Sequence, residues 1–377
     1  MNANGPLFGS LELSSDYLPV LDPKTNTASA VELSVRDSST PPAAAPSMPA
    51  ASPYWGDEVI WKSKNNVHNP MIDGNGRVWI TSAVRPFDNP AFCREGSTHP
   101  SAKAFPVQRS SRHLAVYDPK TKKLTHISTC FGTHHLMFAE DANNTLWTSG
   151  GGTVVGWLNT KMFDQTGDEE KSQGWTPLIM DTNGNGRRDA WVEPNQPLDP
   201  AKDKRYPNAF YAVSPASDGS VWGSVLGFPG AVVRLVPGSN PSETAIAEVY
   251  EPPVDAKGVP TQGGFSPRGM DIDRNGVVWA AMASGHMGSF DRRKCKGPLN
   301  GPKATGQHCP EGWSFYAEPL PQFKGVTDSG SVESSYYTWV DQFDTSGLGA
   351  NTPINTGNES EGLLALKDGK WIVMRVP

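Results

Sequence analysis

The sequence predicts an all-β propeller of about six to seven four-stranded blades carrying long loop insertions. Two observations carry the prediction. A turn followed by a tryptophan recurs along the chain, and a strand ending in Asp-Pro recurs between its copies. A third agrees: Gly (38) and Pro (34) of 377 residues mean many turns, and no long segment has apolar residues at helical spacing.

The fullest copy of the turn phrase runs from Asp271 to Trp279 and reads as a strand, an Asn275-Gly276 two-residue hairpin turn and a second strand. Further copies end at Trp79, Trp147 and Trp222, with a weaker one at Trp371. The second phrase is Leu18–Thr25, echoed almost letter for letter by Leu114–Thr121 and in degenerate form after Val233 and Gly288. Repeated four-stranded units bury their faces against their neighbours, which is the logic of a propeller. The tryptophans fall 57 to 92 positions apart, beyond the ~40–45 residues of a compact blade, so the units carry insertions.

In chain order, residues 1–36 supply partial blade strands and residues 37–53 a Pro/Ala-rich linker with nothing to bury. Residues 54–377 are expected to form the propeller as one domain with the N-terminal strands. Residues 1–17 show no charged start followed by an apolar core, so no secretory signal is read there.

A net charge of −6 without a basic run argues against a nucleic-acid partner, and no stretch approaches the ~20 apolar residues of a membrane span. The expected state is a monomer with a small-molecule ligand. Four cysteines fall two to a unit. Their placement favours the disulfides Cys93–Cys130 and Cys295–Cys309 and a periplasmic or extracellular location, four unpaired thiols being the alternative.

In a propeller the first strand of each blade lines the central channel, so positions about a dozen residues ahead of each tryptophan converge. These are His68, His134, His135, Tyr211 and Arg268. The joints after the tryptophans add Arg85, Ser149 and His286, and Glu333 is the candidate of the last unit. Half of the eight histidines occupy these places. Histidine serves as a general base near neutral pH or, as neutral imidazole, as a metal ligand. His68, His135, Arg268 and His286 are the expected catalytic set, with Tyr211, Arg85, His134 and Glu333 binding substrate. His99, His113, His126 and His308 read as surface residues.

The histidine-led turn-Trp phrase and the Tyr117–Thr121 phrase resemble the streptogramin lyase (virginiamycin B lyase) group of propellers over most of residues 54–320. That resemblance implies elimination on a lactone or carbonyl compound, with magnesium and a histidine base. His286 or His135 would be the base, and Arg268 would steady a carboxyl or carbonyl group. The insertions, cysteines and termini depart from the group. Two alternatives stand beside this reading: a multi-histidine copper oxidoreductase, and a propeller that only binds a ligand or partner.

One insertion has its own signature. Asp181, Asn183, Asn185 and Asp189 stand at positions 1, 3, 5 and 9 of a loop with Gly186 at position 6. This is the spacing of a calcium loop, completed by the Arg187 carbonyl. The usual Glu at position 12 is displaced by one, making Glu193 the expected last ligand.

Overall fold

The computed structural model describes residues 5–43, 53–54, 56–57, 62–150, 152–327 and 330–375. Residues 44–52, most of the expected linker, lie outside the described residues. The chain divides into two compact units, residues 1–138 with 142–175, and residues 139–141 with 176–377.

The first unit opens with β1 (Leu7–Phe8), β2 (Tyr17–Asp22) and β3 (Thr27–Glu32), a three-stranded sheet. Two four-stranded antiparallel meanders follow. The first is β4 (His68–Ile72), β5 (Val78–Ser82), β6 (His113–Asp118) and β7 (Lys123–Ile127). The second is β8 (Leu136–Phe138), β9 (Thr145–Thr148), β10 (Val155–Asn159) and β11 (Gln173–Thr176).

The second unit begins with three short strands, β12 (Ile179–Met180), β13 (Trp191–Val192) and β14 (Asp203–Arg205). The third meander is β15 (Val213–Pro215), β16 (Val221–Val225), β17 (Ala231–Val236) and β18 (Ile246–Tyr250). The short strands extend it beyond β18 into a seven-stranded sheet. The fourth is β19 (Pro267–Ile272), β20 (Val277–Met282), β21 (His286–Asp291) and β22 (Trp313–Ala317), and the fifth β23 (Thr338–Asp341), β24 (Thr352–Gly357), β25 (Gly362–Lys367) and β26 (Lys370–Arg375).

The repeat is therefore five blades, not six to seven. The additional blade was expected to draw on residues 1–36, but these form only a three-stranded sheet whose β3 is exposed along nearly its whole length. Among the described residues helix is confined to short pieces, the longest being Thr160–Thr166. Among the described residues no helix is long and apolar enough to cross a membrane.

The turn phrase recurs for a local reason. Asp73 pairs its N–H with the Arg77 carbonyl at 3.0 Å across a three-residue loop ending in Gly76 at φ +81°. The Asp273–Val277 turn repeats this geometry. These are three-residue loops closed by a left-handed glycine, rather than the two-residue turns expected. One oxygen of each aspartate accepts two backbone N–H groups of its turn. The other accepts the indole N–H six residues on, Trp79 at 2.9 Å and Trp279 at 3.3 Å. Asp, Gly and Trp thus form one hydrogen-bonded piece.

Successive sheets pack through apolar faces. Trp79, Leu114 and Ile127 of the first blade meet Leu136, Leu146 and Leu158 of the second, and Trp222 and Tyr250 of the third meet Met270 and Phe290 of the fourth. A middle-strand glycine admits a neighbouring aromatic ring in both units. A Cβ on Gly156 would stand 2.1 Å from Phe131, and one on Gly223 2.2 Å from Phe210.

Both expected disulfides are present, Cys93–Cys130 with Cα atoms 5.3 Å apart and Cys295–Cys309 at 5.0 Å. The first is buried with Ala102, Phe131, Val154 and Trp175. Two disulfides are consistent with an extracellular or periplasmic location.

Candidate functional site

His68 opens β4. Its carbonyl accepts the Thr81 hydroxyl at 3.1 Å, and the β4–β5 ladder shifts register just after it, where Asn69 takes φ +49°. That irregularity aims His68 away from the regular strand. His134 and His135 precede β8 and are pinned by Ser149 after β9. The His134 N–H donates to the Ser149 carbonyl at 2.6 Å, the Ser149 N–H to the His135 carbonyl at 2.9 Å, and the His135 N–H to Ser149 Oγ at 3.1 Å.

These anchors bring three rings together. His68 stacks on His134 with centroids 4.4 Å apart and planes 8° apart, and His135 lies 4.1 Å from His134 and 5.4 Å from His68. One ring nitrogen from each lies within 4.8 Å of the others. His135 is buried, while His68 and His134 are half-buried, so the cluster is open on one side.

Burial, partly offset by Glu12, pushes the His68 imidazole down, and Arg112 adds to the effect. Burial, then His135, His68 and Arg112, pull His134 down to about 3. Both rings are neutral at pH 7 and offer lone pairs. Glu12 bridges the site to Arg112. Its Oε1 lies 3.7 Å from His68 Nδ1 and accepts Arg112 Nη2 at 2.6 Å. Neither residue was legible as a site residue, because both fall outside the repeat register.

Three clustered imidazoles are a ligand set for zinc, copper, iron or nickel. They do not fit magnesium, which takes oxygen ligands. The magnesium implied by the family resemblance therefore finds no support in this cluster.

The remaining candidates of the first unit are less available. Arg85 is not positioned to hold a substrate. It is buried, and its guanidinium donates to Ser128 and Asn89 side chains and to the Pro86, Asp88 and Thr129 carbonyls. His99 and His113 are likewise buried, not at the surface. His99 stacks on Trp175 at 4.8 Å, and His113 Nδ1 accepts the Val84 N–H.

In the second unit, Arg268 on β19 lies 6.0 Å from the Tyr336 ring centroid, and Tyr211 hydrogen-bonds to the Tyr336 hydroxyl. Burial, then the Tyr336 hydrogen bond, pushes the Tyr211 hydroxyl well above its usual range, so it stays protonated. His286 opens β21 and is buried, with Nδ1 3.0 Å from Ser284 Oγ; burial pushes its imidazole down. Met282 pairs with both Pro267 and His286, which sets Arg268 and His286 at the same end of one blade. Glu333 is a buried clasp, accepting the N–H groups of Ser334, Glu359 and Ser360.

The Asp181–Asp189 loop is tied together from within. Asp181 is buried and accepts Gly184, Asn185 and Gly186 N–H groups, while Asn183 and Asn185 both reach Asp189. Glu193 is not part of it. Its carboxylate is held by Arg205 at 2.6 Å, and Trp191 Nε1 donates to it.

No protein-family model matches the chain, and no curated protein matches it in sequence. Solved structures do. A streptogramin B lyase structure aligns with all of this chain and 81% of its own at a TM-score of 0.51 and 10% identity. PorZ, an essential bacterial surface component of the type-IX secretion system of Porphyromonas gingivalis, aligns over 99% of this chain and 40% of its own (TM-score 0.48, 11% identity). YCF48 bound to D1 peptide aligns over 99% and 85% (TM-score 0.46, 10% identity). At 10% identity the likeness to the streptogramin B lyase structure shows the propeller fold alone.

Proposed function

We propose that the protein is a metal-dependent propeller in which His68, His134 and His135 hold a divalent transition metal, and that this centre acts on a small carbonyl or lactone compound. The observation that supports this most is the convergence of three ring nitrogens within 4.8 Å. Three nitrogen donors leave a coordination position open for substrate, as in catalytic rather than structural sites. The bound metal would supply Lewis-acid polarisation of a carbonyl oxygen.

The protein supplies the rest. Thr81 and Ser149 fix the backbone on which the rings stand, and the stacked His68 and His134 rings would turn about their side-chain bonds to bring both lone pairs onto one ion. The Arg112 guanidinium is a positive charge beside the cluster and suits a carboxylate- or enolate-bearing ligand. Glu12 offsets that charge, its Oε1 paired with Arg112 and 3.7 Å from His68 Nδ1, beyond hydrogen-bond reach.

The all-nitrogen donor set also favours a second reading, a copper oxidoreductase, because copper(II) heads the affinity order at imidazole sites. Metal analysis of protein purified without chelator, with His68→Ala, His134→Ala and His135→Ala variants, tests both. One zinc per chain, lost in all three variants, with turnover of a lactone panel, supports the first. Copper with a nitrogen-coordinated paramagnetic signature supports the second. Protein that takes up neither metal leaves a propeller that binds a ligand or partner without catalysis.

A further inference from the structure

The loop from Asp181 to Asp189 leaves β12 and returns as β13, and both strands pair with β14, which lies between them. Lys204 pairs with Met180, and Asp203 pairs with Trp191. The first residue of β14, Asp203, therefore sits beneath the loop, between its two ends.

Asp203 is fully buried. Its Oδ2 accepts the Asp189 N–H at 2.7 Å, and its Oδ1 has no hydrogen-bond partner. The carboxylates of Asp181 and Asp189 are near enough for their charges to act on it. A buried, half-satisfied carboxylate facing two others calls for a cation. Of the neighbouring arginines, Arg188 feels the Asp203 charge but makes no hydrogen bond to it, lying over Trp191 and giving Nη1 to Thr176, and Arg187 is exposed beside Asp189.

We propose that Asp203 is the carboxylate that completes a calcium site with Asp181, Asn183, Asn185, Asp189 and the Arg187 carbonyl, taking the place that spacing alone would give to Glu193. Six protein oxygens, among them the buried carboxylates of Asp181 and Asp203, suit calcium, which accepts six to eight oxygen ligands in irregular arrangement. The reading needs a donor fourteen residues beyond Asp189, brought in by strand pairing rather than by the loop.

Calcium titration of the chelator-treated full chain tests the proposal, with terbium(III) as a luminescent probe. Trp191, the strand neighbour of Asp203, can sensitise its emission. The wild type should bind one calcium, displace terbium with it and melt at a higher temperature. Asp203→Asn should weaken binding at least about 10-fold, while Glu193→Gln leaves it unchanged. A wild type that binds neither ion, or a folded Asp203→Asn that binds as well as wild type, overturns the assignment. Where Asp203→Asn fails to fold, Asp189→Asn is compared with Glu193→Gln, and equal weakening of both overturns it.

Discussion

The carboxylate of Asp271, on the first strand of the fourth blade, accepts the backbone N–H of Val340 in the fifth at 3.0 Å. The same carboxylate accepts the Ser214 hydroxyl of the third blade at 2.7 Å, so one buried side chain ties three consecutive blades. Asp271→Ala strands both donors away from water. Unsatisfied buried groups cost about 1–3 kcal/mol each, so the expected loss is roughly 2–6 kcal/mol. Urea denaturation followed by tryptophan fluorescence measures it, and a loss below about 1 kcal/mol would remove Asp271 from this role.

Asp341 gives the pH dependence a sign. Burial alone would raise its pKa, but hydrogen bonds from the Ser346 and Thr345 side chains and backbone outweigh that and hold it at about 2. A depressed folded-state value contributes stability above the unfolded value of ~3.9 and loses it as pH falls through about 2. Between pH 4 and 2 the wild type should therefore lose stability more steeply than Asp341→Asn. Equal slopes in denaturation curves across that window would contradict the assignment.

The two disulfides close loops of different length, with sequence separations of 37 and 14. By chain entropy the longer is worth about 4 kcal/mol and the shorter about 3 kcal/mol. Cys93→Ser with Cys130→Ser should accordingly lower the urea midpoint more than the Cys295/Cys309 pair of changes. The reverse order would show that strain or packing, not loop length, dominates.

Glu12→Gln probes the surroundings of the histidine cluster without touching its rings. Groups that orient metal ligands typically change affinity by about 10–100-fold. Zinc or copper titration of the variant should show weakening in that range with the melting temperature little changed. Unaltered metal affinity would restrict Glu12 to its ion pair with Arg112.

Much of this molecule was legible because the repeat is chemical as well as statistical. Asp73 with Trp79 and Asp273 with Trp279 are read from letters six apart, and they share one hydrogen-bonded turn. His68, His134 and His135 were placed by the same register, and they meet. What escaped is what register does not carry. Arg85 occupies a site position by count, yet it is spent on six residues of its own blade and insertion. Glu193 lies one place from a ligand position, yet Arg205 claims it, and Asp203 comes in through strand pairing.

The short strands after the second blade have a further consequence. β12 runs parallel to β18 and pairs with it at Met180 and Ala247, so the outer strand of the third blade is not left as a bare edge. An uncovered edge offers amides and carbonyls to any passing strand, which is how sheets recruit other chains. A bridge between Tyr250 and Gly306 covers the far end of the same strand, and the β12 contact itself is a single residue pair. Shortening or unpinning it would leave the blade folded and make the protein self-associate, with light scattering rising with concentration before any change in its melting curve.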